Sequence, residues 1–585
     1  MRERKGDKSL ENIRHTLAHL LASAVLEKRP GAKLGIGPTI ENGFYYDFDL
    51  KESLTPNDLP ELEKVMRDLI KQNLKIVGTK VTPVVARKLF KDQPYKLDLI
   101  KDFVKEKKQL TVYKTGNIFS DLCKGGHIQS TKEINPDAFK LTHLAGAYWK
   151  GDEKNAQLQR VYGVAFATKK ELDHYLWQQE EAKKRDHRIL GKELKLFTFA
   201  DEVGPGLPLW LPRGTVIRDE IEKYAKQVEE EWGYQRVSTP HIAKEDLYRM
   251  SGHIPYYKDD MYPPMKLDDG NYYLKAMNCP HTHMIYKSEP RSYRDLPLRF
   301  AEYGTVYRYE LSGVLAGLLR VRGFSQNDAH IYCREDQVVD EFLKVMKLHE
   351  FWYKKVFGIS DFYMRLSLPD KDKTKYADMP TGWKKAVTLI RKAMKLSGLP
   401  YVEVTGEAAF YGPKVDFQIK SAIGREESAS TNQLDFLATE RFNLTYKDET
   451  GKDKSVYVIH RAPLGSHERF IAFLIEHYAG VFPLWLSPIQ AQIIAVSDKF
   501  QSYAQKISDQ LRAAGVRVEL TQSNETLGKR IREGETQKIP YLLIVGEKEK
   551  KAGTVAVRKH GKGDLGTSTI STLIKSLQAE ITQRK

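Results

Sequence analysis

Between Phe300 and Cys333 the chain reads FAEYGTVYRYELSGVLAGLLRVRGFSQNDAHIYC, and no other stretch constrains the fold as much. Its first part, Phe300 to Arg308, alternates and is rich in β-branched and aromatic residues, as a half-buried strand requires. The second part, Arg320 to Phe324 and on through Ala329 to Tyr332, reads as a partner strand across a long loop. Such a hairpin gathers Arg308, Arg320 and Arg322 beside Glu310 and Phe324. Arginine's planar fork grips phosphate through two parallel hydrogen bonds, and an aromatic face can stack on a base. Arginines on a hairpin also form ordinary solvated faces, so spacing alone leaves both readings open.

The 585 residues suffice for three or four domains, and 41% hydrophobic content builds ordinary cores. Phe470 to Leu486 is the most apolar late stretch, but Glu476, His477 and Pro483 interrupt it, so it reads as a buried helix and turn rather than a membrane span. The charged N-terminus lacks the apolar run of a signal peptide. Three cysteines exclude a disulfide framework and suit a reducing cytoplasm, where this chain is expected. Lys and Arg outnumber Asp and Glu by 94 to 77, which favours an anionic partner, nucleic acid before lipid.

Ile13 to Leu26 has helical periodicity and carries His15 and His19 one turn apart. A Gly- and Pro-punctuated strand region follows at Gly35–Tyr46, then mixed α/β sequence to about Tyr162. Lys169 to Arg188 reads as a polar linker helix with opposite charges at i,i+3 and i,i+4. Val216 to Trp232 is a long helix, followed by extended Val237-Ser-Thr-Pro240. After Pro488, strands and helices alternate in a small α/β pattern in which Lys and Arg outnumber Asp and Glu by 17 to 10.

Taken together, Arg-x-Glu, a loop, then R-x-R-G-F-x-Q-x-D resembles motif 2 of the class II aminoacyl-tRNA synthetases, most closely the threonyl family. The helix–turn–strand near Val216 resembles motif 1, the dimerisation element, and His460-Arg-Ala-Pro-Leu-Gly-Ser-His-Glu-Arg469-Phe resembles motif 3. The resemblance implies an α/β and α+β multidomain chain: an editing domain (1–164), a linker helix (165–190), a class II catalytic domain on an antiparallel sheet (191–487) and a C-terminal α/β anticodon-binding domain (488–585). It implies a homodimer, with ATP, Mg²⁺, L-threonine and tRNA(Thr) as partners and no membrane. Arg308 would hold the α-phosphate of ATP, Glu310 and Phe324 the adenine, and Arg320 and Arg469 the γ-phosphate; Arg308 and Arg469 would carry catalysis. Met277, Gln326, Asp328, Tyr411 and Ser466 would surround threonine, and Asn524, Glu549 and Arg558 would read the anticodon.

Cys279, His330 and His460 lie too far apart to be a metal motif by spacing. One thiolate and two imidazoles nevertheless leave a tetrahedral zinc with an open position, and the threonyl family places its ligands there, one Zn²⁺ per subunit. Such an ion can take both the amino group and the β-hydroxyl of threonine, which valine lacks. Serine keeps the hydroxyl, so a second, hydrolytic site is expected. His15, His19, Cys123 and His127 resemble the editing quartet of the threonyl and alanyl enzymes, with Tyr46 and Lys96 as helpers; whether a metal binds there stays open. The resemblance covers nearly the whole chain, without the ubiquitin-like module that precedes it in many members.

Several positions depart from the family pattern. His281 replaces a glycine and Thr282-His283 follows, so an extra imidazole is expected beside Cys279. Val314 and Ala316 replace more polar loop residues. The run Arg425-Glu-Glu-Ser-Ala-Ser-Thr431 puts Ser428 where the family has an ATP-contacting glutamine, and Gly126 replaces a proline. Two alternatives stand beside the main reading: a related seryl or prolyl enzyme, and a synthetase-like paralogue that binds RNA without charging it.

Overall fold

The computed structural model describes residues 5–370, 375–421, 424 and 426–584. The chain divides into two compact units, Met1–Glu180 and Glu181–Lys585.

In the first unit, the helix Lys5–Lys28 lays Leu17, Leu20, Leu21, Ala24 and Val25 on a five-stranded antiparallel sheet. Those residues recur at helical spacing, which gives the helix one apolar stripe to bury. A smaller three-stranded sheet, Ile76–Val81, Leu110–Thr115 and Phe119–Leu122, forms its own core with the helices Pro83–Leu89 and Pro94–Lys105. The polar helix after it runs Lys169–Arg185 and stops short of Arg188. Asp186 breaks it by capping a new helix, His187–Glu193, its carboxylate accepting the Arg188 N–H at 2.8 Å.

The second unit is built on an eight-stranded sheet, antiparallel except for the outermost pair at each edge. Leu298–Tyr307 pairs with Gly323–Cys333, which pairs with Tyr457–Ala462, which pairs with Glu426–Asp435. The expected hairpin is therefore present, with Arg320 and Arg322 in the loop rather than on the second strand. The long helix spans Pro212–Glu231, and it packs on this sheet with Val338–Glu350, Pro380–Ser397 and His467–His477 around one large core. After Pro488 a five-stranded mixed sheet has three parallel strands, Val518–Thr521, Ala491–Ala495 and Tyr541–Val545, extended by two antiparallel ones. The α/β and α+β multidomain class holds.

Candidate active site

Side chains alternate along a strand, so Phe324, Gln326, Asp328 and His330 share one face of Gly323–Cys333. Register sets His460 directly opposite His330, and Gln433 opposite His460. The face borders a cavity of about 460 Å³, which Met277, Cys279, Arg308, Phe324, Gln326, Asp328, Tyr411, His460, Ser466 and Arg469 help to line. All five residues expected around threonine are in that lining, as are both arginines expected to carry catalysis.

The arginines are held by weak, exchangeable contacts. The Arg308 guanidinium sits 5.1 Å from the Phe324 ring centre and donates to the Ala276 carbonyl at 3.4 Å. Arg469 follows Ser466, whose hydroxyl caps the helix His467–His477, and it donates to the Leu319 carbonyl at 3.2 Å. Neither Glu468 nor Glu476 pairs with it: Glu468 accepts the Ser325 N–H, and Glu476 is taken by His187. Glu310 and Arg320 are not in the cavity lining; Arg320 donates to Glu310 at 2.9 Å in the exposed loop. Arg322 donates to the Glu310 carbonyl at 2.9 Å and braces that loop.

Asp328 receives an N–H from Asn278 at 3.1 Å, and burial pushes its carboxyl up to about 6. Asn278 fits only because Gly304 has no side chain: a Cβ there would stand 2.2 Å from the Asn278 oxygen. Tyr411 donates to Gln433. Burial raises the Tyr411 phenol well above its ordinary value, so it stays protonated. Gln433, which lines the cavity, and His253, which supports it from behind with Nε2 3.0 Å from the lining residue Met277 at Sδ, have no counterpart in the sequence reading. Both lie outside the three motif stretches, where no local pattern marks them.

Cys279, His330 and His460 are all buried and offer ligand atoms within 4.8 Å of one another. The His330 Nε2 is buried without a hydrogen-bond partner, which costs free energy unless something takes its lone pair. His460 Nε2 lies 3.0 Å from Asp435 Oδ2, a carboxylate placed to orient the imidazole. One sulfur and two nitrogens with an orphaned nitrogen among them fit a zinc ion. The additional imidazole beside this set is His283, which with Asp435 and His460 forms a second group within 4.8 Å. His281 instead faces Tyr248, its ring centre 6.2 Å away. Ser428 lines the cavity and is hydrogen-bonded to Gln418 at 2.7 Å; Arg425 lies outside the described residues.

In the first unit, His15, His19, Cys123 and His127 converge, again within 4.8 Å. Cys123 Sγ lies 3.3 Å from His15 Nε2 and 3.2 Å from His127 Nε2. Behind them a buried Asp121 bonds Tyr46 at 2.5 Å and Lys96 at 2.5 Å. Burial lowers His127 to about 2 and raises Cys123 to about 11, so imidazole and thiol are both neutral near pH 7. A neutral thiol is a poor nucleophile, which suits orienting a water better than covalent attack. Gly126 has φ +85°, a conformation closed to the family's proline, so the substitution redirects the loop as well as loosening it.

Asn524 and Glu549 follow the parallel strands Val518–Thr521 and Tyr541–Val545 at their C-terminal ends. Arg558 pairs with Leu542, toward the other end of that strand. Glu549 already accepts the Gly546 N–H at 2.9 Å and so caps its own helix.

Three family descriptions match the chain. "tRNA synthetase class II core domain (G, H, P, S and T)" matches residues 263–478, "Anticodon binding domain" 490–580, and "Threonyl and Alanyl tRNA synthetase second additional domain" 110–162. The threonine–tRNA ligase of Geobacillus sp. (strain WCH70) is 50% identical over 98% of this chain and 89% of its own length. This chain belongs to the threonine–tRNA ligase family. Threonine–tRNA ligase 1 of Bacillus subtilis is 48% identical over 98% of the chain and 89% of its own length. Among solved structures, the RNA binding domain of threonyl-tRNA synthetase from Cryptosporidium parvum Iowa II is similar with a TM-score of 0.63. It is 35% identical and covers 68% of this chain and 98% of its own length. No described helix is long and apolar enough to cross a membrane.

Proposed function

We propose that this chain activates L-threonine with ATP and transfers it to tRNA(Thr), and that the quartet in the first unit hydrolyses seryl-tRNA made in error. The observation that carries the reading is one cavity lined by Arg308, Arg469, Asp328, Cys279 and His460, with His330 completing the Cys279/His330/His460 donor set beside it. Those three residues would hold one Zn²⁺ per subunit, and a bound zinc supplies a Lewis acid for the amino and hydroxyl groups of threonine. Asp328 accepts the hydroxyl proton, and Tyr411, Gln326, Met277 and Ser466 fix the amino acid. Arg308 and Arg469 neutralise charge on the phosphates as the threonine carboxylate attacks the α-phosphorus and pyrophosphate leaves, and Mg²⁺ bound with the ATP would share that neutralisation. Phe324 and Glu310 take the adenine, and Arg320 reaches the γ-phosphate once ATP draws it from Glu310.

The editing domain spans 1–164, a linker 165–190, the catalytic domain 191–487, and the anticodon-binding domain 488–585, with Asn524, Glu549 and Arg558 reading bases. The chain acts as a cytoplasmic homodimer. Close likeness to threonine–tRNA ligases over almost the full chain disfavours both alternatives, the seryl or prolyl enzyme and the non-charging paralogue.

Amino-acid-dependent pyrophosphate exchange tests the reading. Threonine should support exchange strongly, serine weakly and valine scarcely at all. Equal exchange with valine, or none with threonine, overturns it.

A further inference from the structure

His187 is buried at the start of the helix His187–Glu193, outside every motif assigned above, and both of its ring nitrogens are used. Nδ1 lies 2.7 Å from Glu476 Oε1, near the end of the helix that carries Arg469. Nε2 accepts the backbone N–H of Leu318 at 3.1 Å. A neutral imidazole can satisfy both contacts in one tautomer only, with the proton on Nδ1. The carboxylate thus fixes the ring so that its lone pair points at the loop.

Leu318 lies in the turn that carries Arg320. Ala316 N–H bonds the Arg320 carbonyl at 3.2 Å, and Leu319 N–H the Ala316 carbonyl at 2.9 Å. Leu318 itself is fully buried, and Arg469 grips the next carbonyl, Leu319. The docking is close: Gly317 has φ +52°, and a Cβ there would stand 2.3 Å from His187 Nε2. Apart from the Glu310 pairing, Arg320 is exposed, so its direction depends on the turn beneath it.

We propose that His187, oriented by Glu476, is a positioning residue that clamps the Ala316–Arg320 turn and thereby aims Arg320 at the nucleotide. The proposal rests on the nucleotide reading of the cavity given above. It ties the far end of the helix bearing Arg469 to the loop bearing Arg320.

The test compares His187→Leu, which keeps bulk but removes the acceptor, with His187→Gln, whose amide oxygen can still accept from Leu318. In His187→Leu the Leu318 amide should exchange with solvent roughly tenfold faster, and the KM for ATP should rise by a similar factor. The KM for threonine and the bound metal should stay as in the parent, and His187→Gln should recover most of the ATP effect. The clamp is overturned if both variants keep parental ATP KM and Leu318 exchange. It is equally overturned if ATP and threonine KM rise together in both variants with a lowered melting temperature, the signature of a merely structural residue. Should the parent show no threonine-dependent exchange, the functional reading fails, while Leu318 amide exchange still decides the clamp.

Discussion

His330 and His460 are direct register partners on neighbouring antiparallel strands, with ring centres 4.7 Å apart and planes at 81°. The two imidazoles on one sheet face hold ligand nitrogens within 4.8 Å of each other and of the Cys279 sulfur, which comes from the helix Cys279–Lys287. Cys279→Ser should therefore lower bound zinc from about one per chain to a small fraction and abolish threonine activation, with the fold retained. Metal analysis and circular dichroism check this. His283 is the residue able to rescue binding, so residual zinc in Cys279→Ser should vanish in Cys279→Ser/His283→Leu.

The arginines should separate from the metal ligands. Arg308→Ala and Arg469→Ala should each reduce pyrophosphate exchange by roughly a hundredfold or more, as loss of a charged phosphate contact formed in the transition state does. Zinc content should be unchanged. Exchange within about threefold of the parent would mean that ATP binds elsewhere.

Cys123→Ala with His19→Ala should leave threonine charging intact and let seryl-tRNA accumulate. Deacylation of preformed seryl-tRNA reads this directly. Equal rates in variant and parent would remove the quartet from editing.

For the C-terminal domain, truncation at Pro488 is a poor test. Arg517 bonds the Trp485 and Ser487 carbonyls and Glu220, and Arg213 bonds Gln537, so cutting there strips partners from the catalytic part. Glu549→Ala would also remove a helix cap, worth roughly 1 kcal/mol. Asn524→Ala and Glu549→Gln avoid both problems, since glutamine can still cap Gly546. Each should weaken discrimination among anticodon variants more than overall RNA affinity, measured by filter binding against a set of variant tRNAs.

Acid should destabilise the fold through buried histidines. Burial lowers His349 and His467 to about 3 from an ordinary 6.5. A depressed folded-state value means that their contribution is full above pH 6.5 and is lost as pH falls from 6.5 toward 3. Each costs up to about 1.4 kcal/mol per pH unit in that window. His349→Gln, which can still reach either Ser430 or Asn432, should flatten the fall of the melting temperature below pH 6.5.

Much of this is legible in the sequence alone. Alternation along Phe300–Arg308, with a partner strand running on to Tyr332, announces a hairpin, and the strand observed at Gly323–Cys333 then puts Phe324, Gln326, Asp328 and His330 on one face. The helical repeat carrying His15 and His19 was equally plain, because local periodicity depends only on neighbours in the chain.

Tertiary structure decided whatever depends on residues far apart in sequence. Strand register, not spacing, set His460 opposite His330 and Gln433 beside it. Helix packing selected His283 over His281 as the extra imidazole, and Gly304 mattered only once Asn278 lay against it. His187 looked like one polar residue of a linker helix until folding placed Glu476 and Leu318 at its two nitrogens. Sequence pattern states which face a residue takes; only register and packing determine what meets it there.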